Sequence, residues 1–158
     1  MLKYQGVLIT VEDIAAARRF YEDCLQQKVG IDFGVNVSFE GGLAIHLKSH
    51  FQELLGGEPY AAVKKAHDGE LYFETDELTQ VEQRVKEAGV EFIHPVREQP
   101  WAQRVMRFYD PDGHVVEVGE TMESTVRRLF QEGNSVEAIC LRTGMPTPFV
   151  EGALVLTD

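Results

Sequence analysis

Phe108–Glu120 reads FYDPDGHVVEVGE: a tight acidic turn, Asp110 to Gly113, that runs into an alternating strand. Val116 and Val118 fall on one face of that strand, while Val115 and the carboxylate of Glu117 fall on the other, because strand side chains alternate. One face must meet a hydrophobic core. The other offers an acid to whatever lies opposite.

The same strand-closing pattern occurs earlier. EGGLAIHL, Glu40 to Leu47, has a glycine turn and a short alternating strand, so that Gly42 matches Gly113 and His46 falls opposite Glu117. The match extends backwards: GVLITVEDIAAARRFYEDCLQQKVGI from Gly6 parallels ELYFETDELTQVEQRVKEAGVEFI from Glu70. Each copy opens with an alternating strand, Val7/Ile9/Val11 or Leu71/Phe73/Thr75, followed by an amphipathic helix. In the first helix Asp13 is placed as N-cap and Ile14, Ala17, Phe20, Tyr21, Cys24 and Leu25 form an apolar stripe. In the second, Leu78, Val81, Val85 and Ala88 do so, with Gly89 as the stop. Three strands follow each helix: Lys28 to Val35, Asn36 to Glu40 and Leu43 to Lys48, then Glu91 to Val96, Val105 to Tyr109 and His114 to Gly119. The pattern is βαβββ, twice.

This duplicated unit, together with PWAQRVMRFYDPDGHVVEV, resembles the vicinal oxygen chelate superfamily, which includes glyoxalase I, extradiol dioxygenases and the fosfomycin- and bleomycin-resistance proteins. The resemblance implies an α+β fold in which two modules, about 1–49 and 68–120, curl their sheets into an open half-barrel with the ligand inside. It also implies that metal ligands, where present, come from the first and fourth strands of each module, here Gly6, His46, Glu70 and Glu117. Glycine at the first position and glutamate at the third, where histidines are usual, leave His46, Glu70 and Glu117 as the metal-ligand set. Strand parity independently sends all three to the same face, with Leu8, Thr10 and Tyr72 beside them.

Two functions follow. One is a glyoxalase-related lyase or isomerase acting on an oxygenated metabolite, with Zn, Mn, Fe or Ni as Lewis acid and Glu70 or Glu117 as base. The other is a metal-free cleft for drug or small-molecule binding, or for ligand sensing, in which the two acids pair with a cationic ligand or share a proton. In either, Leu8, Thr10, Tyr72, Trp101, Arg104 and Tyr109 are the candidate contacts to the ligand, Phe108 adds an aromatic wall, and Arg104 receives an anionic group. His94, His114 and the connector histidines His50 and His67 carry less weight; KSHFQELLGGEPYAAVKKAHDG reads as an amphipathic segment over the cleft or between modules. No nucleotide cofactor is implied.

Composition narrows the partners. The chain has 158 residues, is 44% hydrophobic and carries a formal net charge of -11, which argues against nucleic acid or anionic membrane as a partner. No apolar run approaches membrane-spanning length and no signal-peptide pattern opens the chain, so a soluble cytoplasmic protein is expected. Cys24 and Cys140 are too few and too far apart for a disulfide framework or zinc knuckle.

From residue 121 to 158 the pattern becomes helical: a first helix, a Ser135-capped second helix ending at Gly144, and a third opened by Pro148. Its spacing is that of a helix-turn-helix, with Val136, Ile139, Cys140, Val150 and Leu154 as a small core. Five acids (Glu123, Glu132, Glu137, Glu151, Asp158) against three arginines (Arg127, Arg128, Arg142) leave no basic face for DNA. The expected role is packing against the half-barrel or a second subunit in a homodimer.

Overall fold

The computed structural model describes residues 5–55, 64–67 and 69–155. Two four-stranded mixed sheets carry the repeat. The first module contains β1 (Val7–Val11), β2 (Val29–Asp32), β3 (Asn36–Phe39) and β4 (Leu43–Leu47), in the order β1-β4-β3-β2. In the second, β5 (Leu71–Thr75), β6 (Phe92–Glu98), β7 (Arg104–Tyr109) and β8 (Val115–Glu120) lie in the order β5-β8-β7-β6. In both, the first strand pairs parallel with the fourth and the remaining pairs are antiparallel. The sheets stay open.

The helices form where the apolar spacing predicts. Asp13 caps α1 (Ile14–Arg19) by accepting the Ala16 amide hydrogen at 2.9 Å. The helix then widens into a π-helical segment, Phe20–Cys24, that buries Phe20, Tyr21 and Cys24 together. A short α2 (Lys48–Leu54) opens the connector, while the part of the expected amphipathic segment over 56–63 lies outside the described residues. In the second module α3 (Leu78–Glu87) buries Leu78, Val81 and Val85, and Gly89 turns the chain with φ of 69°.

One core unites the modules. Val11, Ala17, Phe20, Tyr21, Val37 and Ile45 from the first pack in the same cluster as Val81, Val85, Met106, Phe108, Val116 and Val118 from the second. Phe20 meets the Phe108 ring edge-on at 6.4 Å between centroids, which places Phe108 in the core and not on the wall of a cleft. A polar staple sits beside it: the Tyr21 hydroxyl donates to Asp110 Oδ2 at 2.8 Å, and Asp110 Oδ1 accepts from the amides of Asp112 and His114. The acidic turn is therefore both an Asx turn and a junction between modules. Its glycine and the matching one in the first module, Gly113 and Gly42, both take positive φ, 90° and 95°.

The chain ends in α4 (Met122–Gln131), α5 (Val136–Thr143) and α6 (Thr147–Val155), which share a second small core of Ala102, Val126, Leu129, Ile139, Val150 and Ala153. Ala102 belongs to the β6–β7 turn, so this cluster is seated on the second module. Arg128 fixes the seat, donating to Glu120 Oε1 at 2.7 Å and to the Ala102 carbonyl at 2.6 Å. Asp76 fixes the entry to α4 through Thr121 and Ser124. No helix among the described residues is long and apolar enough to cross a membrane.

Candidate functional site

The register of the parallel pairs aligns the two modules. Thr10 stands opposite His46 in the first and Tyr72 opposite Glu117 in the second. Counting back two residues along each first strand sets Leu8 against Glu70. Gly6, the position expected to match Glu70, lies just before β1. Its φ is 152°, and a Cβ there would stand 2.0 Å from the Gly42 carbonyl oxygen, so this backbone accepts no side chain at residue 6. The first strand brings a leucine, not a ligand, to the cleft.

The second sheet carries a charged rung across its whole width. Tyr72 pairs with Glu117, Glu117 with Arg107, and Arg107 with His94. Arg107 Nε donates to Glu70 Oε2 at 2.8 Å, its Nη2 forms an ion pair with Glu117 Oε2, and its Nη1 lies 3.3 Å from His94 Nε2. Glu117 is the buried member, with a side chain 5% exposed against 22% for Arg107 and 38% for Glu70. A carboxylate so far from water needs a cation beside it. Neither a shared proton nor a ligand is required to hold the acids together, because the guanidinium does so. His94 is held neutral by burial, with Arg97 and Arg107 nearby opposing its charge.

The first sheet carries a neutral rung: Thr10, His46, Asn36. Asn36 Nδ2 lies 3.0 Å from His46 Nδ1, and His46 Nε2 lies 2.8 Å from His50 Nδ1, with the two imidazoles stacked at 5.1 Å. Burial lowers the His46 pKa and His50 lowers it further, so His46 is an uncharged ring with both nitrogens engaged. His46 is thus committed to Asn36 and His50, while Glu70 and Glu117 share Arg107. Among the described residues no three His, Cys, Asp or Glu side chains gather closely enough to hold a metal ion. The donor set does not fit the metal that the resemblance implies, since a fixed cation already bridges its two carboxylates.

The expected ligand contacts divide. Leu8 and Tyr72 are open to solvent at 40% and 49%, and Thr10 is half-buried. The Tyr72 hydroxyl donates to Glu74 at 2.6 Å and receives Gln103 Nε2 at 2.8 Å, while Gln103 Oε1 accepts the Trp101 indole hydrogen at 2.9 Å. Trp101 is 41% exposed, so its ring remains available at the end of this chain of bonds. Gln103 itself is buried against Gly119, where a Cβ would approach its Nε2 to 2.9 Å. Arg104 turns away, toward Glu132 on the C-terminal side of α4 at 3.7 Å, and so is not placed to receive an anion in the cleft. Tyr109 is buried, its ring stacked on His67 and its hydroxyl bonded to that imidazole.

Three recesses meet at Glu70, the smallest of them, about 260 Å³, running between Val7, Ile9, Leu71 and His114. A second, of about 370 Å³, is lined by His67, Gly69, Glu70, Ile93, Arg107 and Val115. Another, of about 450 Å³, runs past Tyr72 and Glu74 to the Gly41–Gly42 turn of the first module. The two larger ones lie within the size range of small-molecule sites.

Arg107 and Gln103 are the members of this site that motif reading missed, and His94 is one to which it gave little weight. A signal for Arg107 was present: the Asp110–His114 turn pairs Tyr109 with Val115, and counting down the hairpin puts Arg107 opposite Glu117. No such count finds His94, because β6 shifts register on both sides of it.

Comparison with known proteins agrees with the geometry. The sequence profile of the glyoxalase-like domain matches residues 4–123. A solved protein of unknown function from Agrobacterium tumefaciens is 37% identical, with 77% of this chain and 95% of that one covered and a TM-score of 0.69. A glyoxalase-related enzyme from Fulvimarina pelagi is 20% identical over 77% and 89% of the two chains, with a TM-score of 0.64. A lactoylglutathione lyase from Agrobacterium tumefaciens is 23% identical over 75% and 92%, at 0.56. The last two show the shared fold alone. No functionally curated protein matches.

Proposed function

The chain belongs to the glyoxalase-like domain family, within the vicinal oxygen chelate superfamily, and from that premise we propose that it is a metal-independent small-molecule-binding protein. The single observation that supports this most is Arg107 bridging Glu70 and Glu117. In this arrangement the two acids that a Lewis-acid lyase would lend to a metal both face a guanidinium supplied by the protein itself.

The ligand class follows from the lining. Among the described residues the two larger recesses set Glu40, Glu70 and Glu74 against Arg107, a net negative charge, and Tyr72 and Ile93 add exposed aromatic and apolar surface, with Trp101 joined to Tyr72 through Gln103. An aromatic or amphipathic molecule bearing an amine suits such a lining, with stacking on Tyr72 or Trp101 and the amine set against Glu70 or Glu74.

Trp101 is the chain's only tryptophan, so its fluorescence reports on the site directly. Titration with amine-bearing aromatic drugs and with carboxylate-bearing aromatics of equal size is expected to change Trp101 emission saturably for the amines alone. Tyr72→Ala should weaken that binding by about tenfold, the loss of one stacked ring. Equal response to both charge classes, or none to either, would end this reading.

A further inference from the structure

The turn between β6 and β7 belongs to two parts of the molecule at once. It is closed by the Ala102 amide donating to the Gln99 carbonyl and the Gln99 amide donating to the Gln103 carbonyl, both at 2.8 Å. Three consecutive residues then go separate ways. Trp101 stays 41% exposed. Ala102 is 2% exposed and sits in the helical core with Val126, Leu129 and Ile139. Gln103 is buried and uses its whole side-chain amide: Nε2 donates to the Tyr72 hydroxyl and to the Glu120 carbonyl, each at 2.8 Å, and Oε1 accepts the Trp101 indole hydrogen at 2.9 Å. A backbone carbonyl can only accept, which fixes the orientation of this amide. Trp101 and Tyr72 are therefore tied to one buried side chain.

The C-terminal helices hold the same turn. Arg128 of α4 donates to the Ala102 carbonyl at 2.6 Å and to Glu120 Oε1 at 2.7 Å, and that oxygen also accepts the Arg104 amide hydrogen. Arg142 of α5 reaches Glu98, where β6 ends, at 3.0 Å. Ala102 has a positive φ of 66°, a left-handed backbone that is unfavourable for a residue with a Cβ and persists only where its surroundings hold it. Here the surroundings are the helices. Nearly all of α4 and the whole of α5 and α6 lie beyond residue 123, where the match to the glyoxalase-like domain ends. The grip on this turn thus comes from outside the family domain.

We propose that the C-terminal helices set the position of Trp101 and Tyr72, with Ala102 as the gripped residue and Gln103 as the positioning residue that carries the grip to both rings. Disturbing the helical core then releases the rings without a change at either. Any effect on affinity rests on the ligand reading, whereas the placement of the rings does not.

Trp101, the only tryptophan, serves as its own probe. Acrylamide quenching of its fluorescence is measured in full-length wild type, Ile139→Ala, Ala102→Gly, Gln103→Leu and Val37→Ala. Ile139 is fully buried in the helical core, and Val37 is equally buried in the core of the two modules. Quenching is expected to rise in the first three variants and to match wild type in Val37→Ala, which separates lost positioning from lost stability. Phenethylamine, an aromatic ring bearing one amine, should bind the first three at least about fivefold more weakly than wild type, a typical coupling between linked sites. Glycine accepts the left-handed turn, so Ala102→Gly remains decisive if Ile139→Ala does not fold. Unchanged quenching in Ala102→Gly overturns the proposal, and so does an equal rise in Val37→Ala. Phenethylamine that wild type ignores, or that the released variants bind as well as wild type, counts against the ligand reading and leaves the quenching contrast to decide the placement of the rings.

Discussion

The two modules share strand order, register and paired turn glycines, yet the rung across the middle of each sheet differs in kind. In the first, Thr10, His46 and Asn36 make a neutral row whose imidazole is satisfied by its neighbours. In the second, Tyr72, Glu117, Arg107 and His94 make a charged row with its carboxylate almost fully buried. A duplicated backbone has been divided into one sheet that presents Leu8 and neutral polar groups and one that presents compensated charge. The repeat fixes where side chains point, while local pairing fixes what they can do.

Breaking the charged rung should have the largest effect. Arg107→Ala leaves Glu117 buried without its cation and is expected to destabilise the protein by about 3–5 kcal/mol, whereas adding Glu117→Gln should restore part of the loss. His46→Ala, in the neutral rung, strands no charge and should fall below that range. Urea denaturation of the four proteins measures the contrast, and equal losses for Arg107→Ala and His46→Ala would erase it.

How far each rung could be read from sequence depends on what sets it. His46, Glu70 and Glu117 were placed on inward faces by strand alternation and the glycine turns, since a period of two leaves no freedom once the apolar face is known. Their partners were not all visible. Arg107 follows from hairpin counting, but His94 reaches the rung through the register shifts of β6, and His50 reaches His46 from a short helix with no cap in its sequence. The C-terminal helices were legible because Ser135, Gly144 and Pro148 punctuate them, whereas their seat on the second module rests on Arg128 meeting Glu120 and Ala102, a contact without a local pattern.

The junction between modules comes next in size. Tyr21→Phe removes the hydroxyl that links α1's π-helical segment to Asp110, and a loss of about 1.5–3 kcal/mol is expected for a hydrogen bond to a buried carboxylate. Thermal unfolding should remain a single transition at lower temperature; an unchanged midpoint would mean that the core alone joins the modules.

The glycines entering each first strand differ similarly. Gly6→Ala drives a Cβ into the Gly42 carbonyl, for about 1–3 kcal/mol, while Gly69→Ala meets no atom of the described residues within 4 Å and should stay within about 0.5 kcal/mol. Equal stability of the two variants would show that the first module yields at its turn.

The smallest contrast is in pH dependence. Burial alone would lower the His114 pKa, but the hydrogen bond and charge of Asp110 outweigh it and raise the pKa above the usual 6.5. His114 therefore stabilises the fold fully below its unfolded pKa, and that contribution is lost as pH rises through the higher folded value. His46 has the opposite sign: with a lowered folded pKa, it weakens the fold as pH falls below 6.5 toward that value. Stability measured across this range should flatten on the alkaline side in His114→Asn and on the acid side in His46→Asn. The same slope in both variants would contradict the assigned charge states.

If, as proposed, the charged rung is complete with Arg107, the protein needs no metal there. Elemental analysis of wild type and Glu117→Gln, expressed with manganese, zinc and nickel supplied and purified without chelator, tests it most directly. Far less than one metal per chain is expected in both proteins. One metal per chain in the wild type, absent from Glu117→Gln, would contradict it and return Glu117 to the role of a ligand.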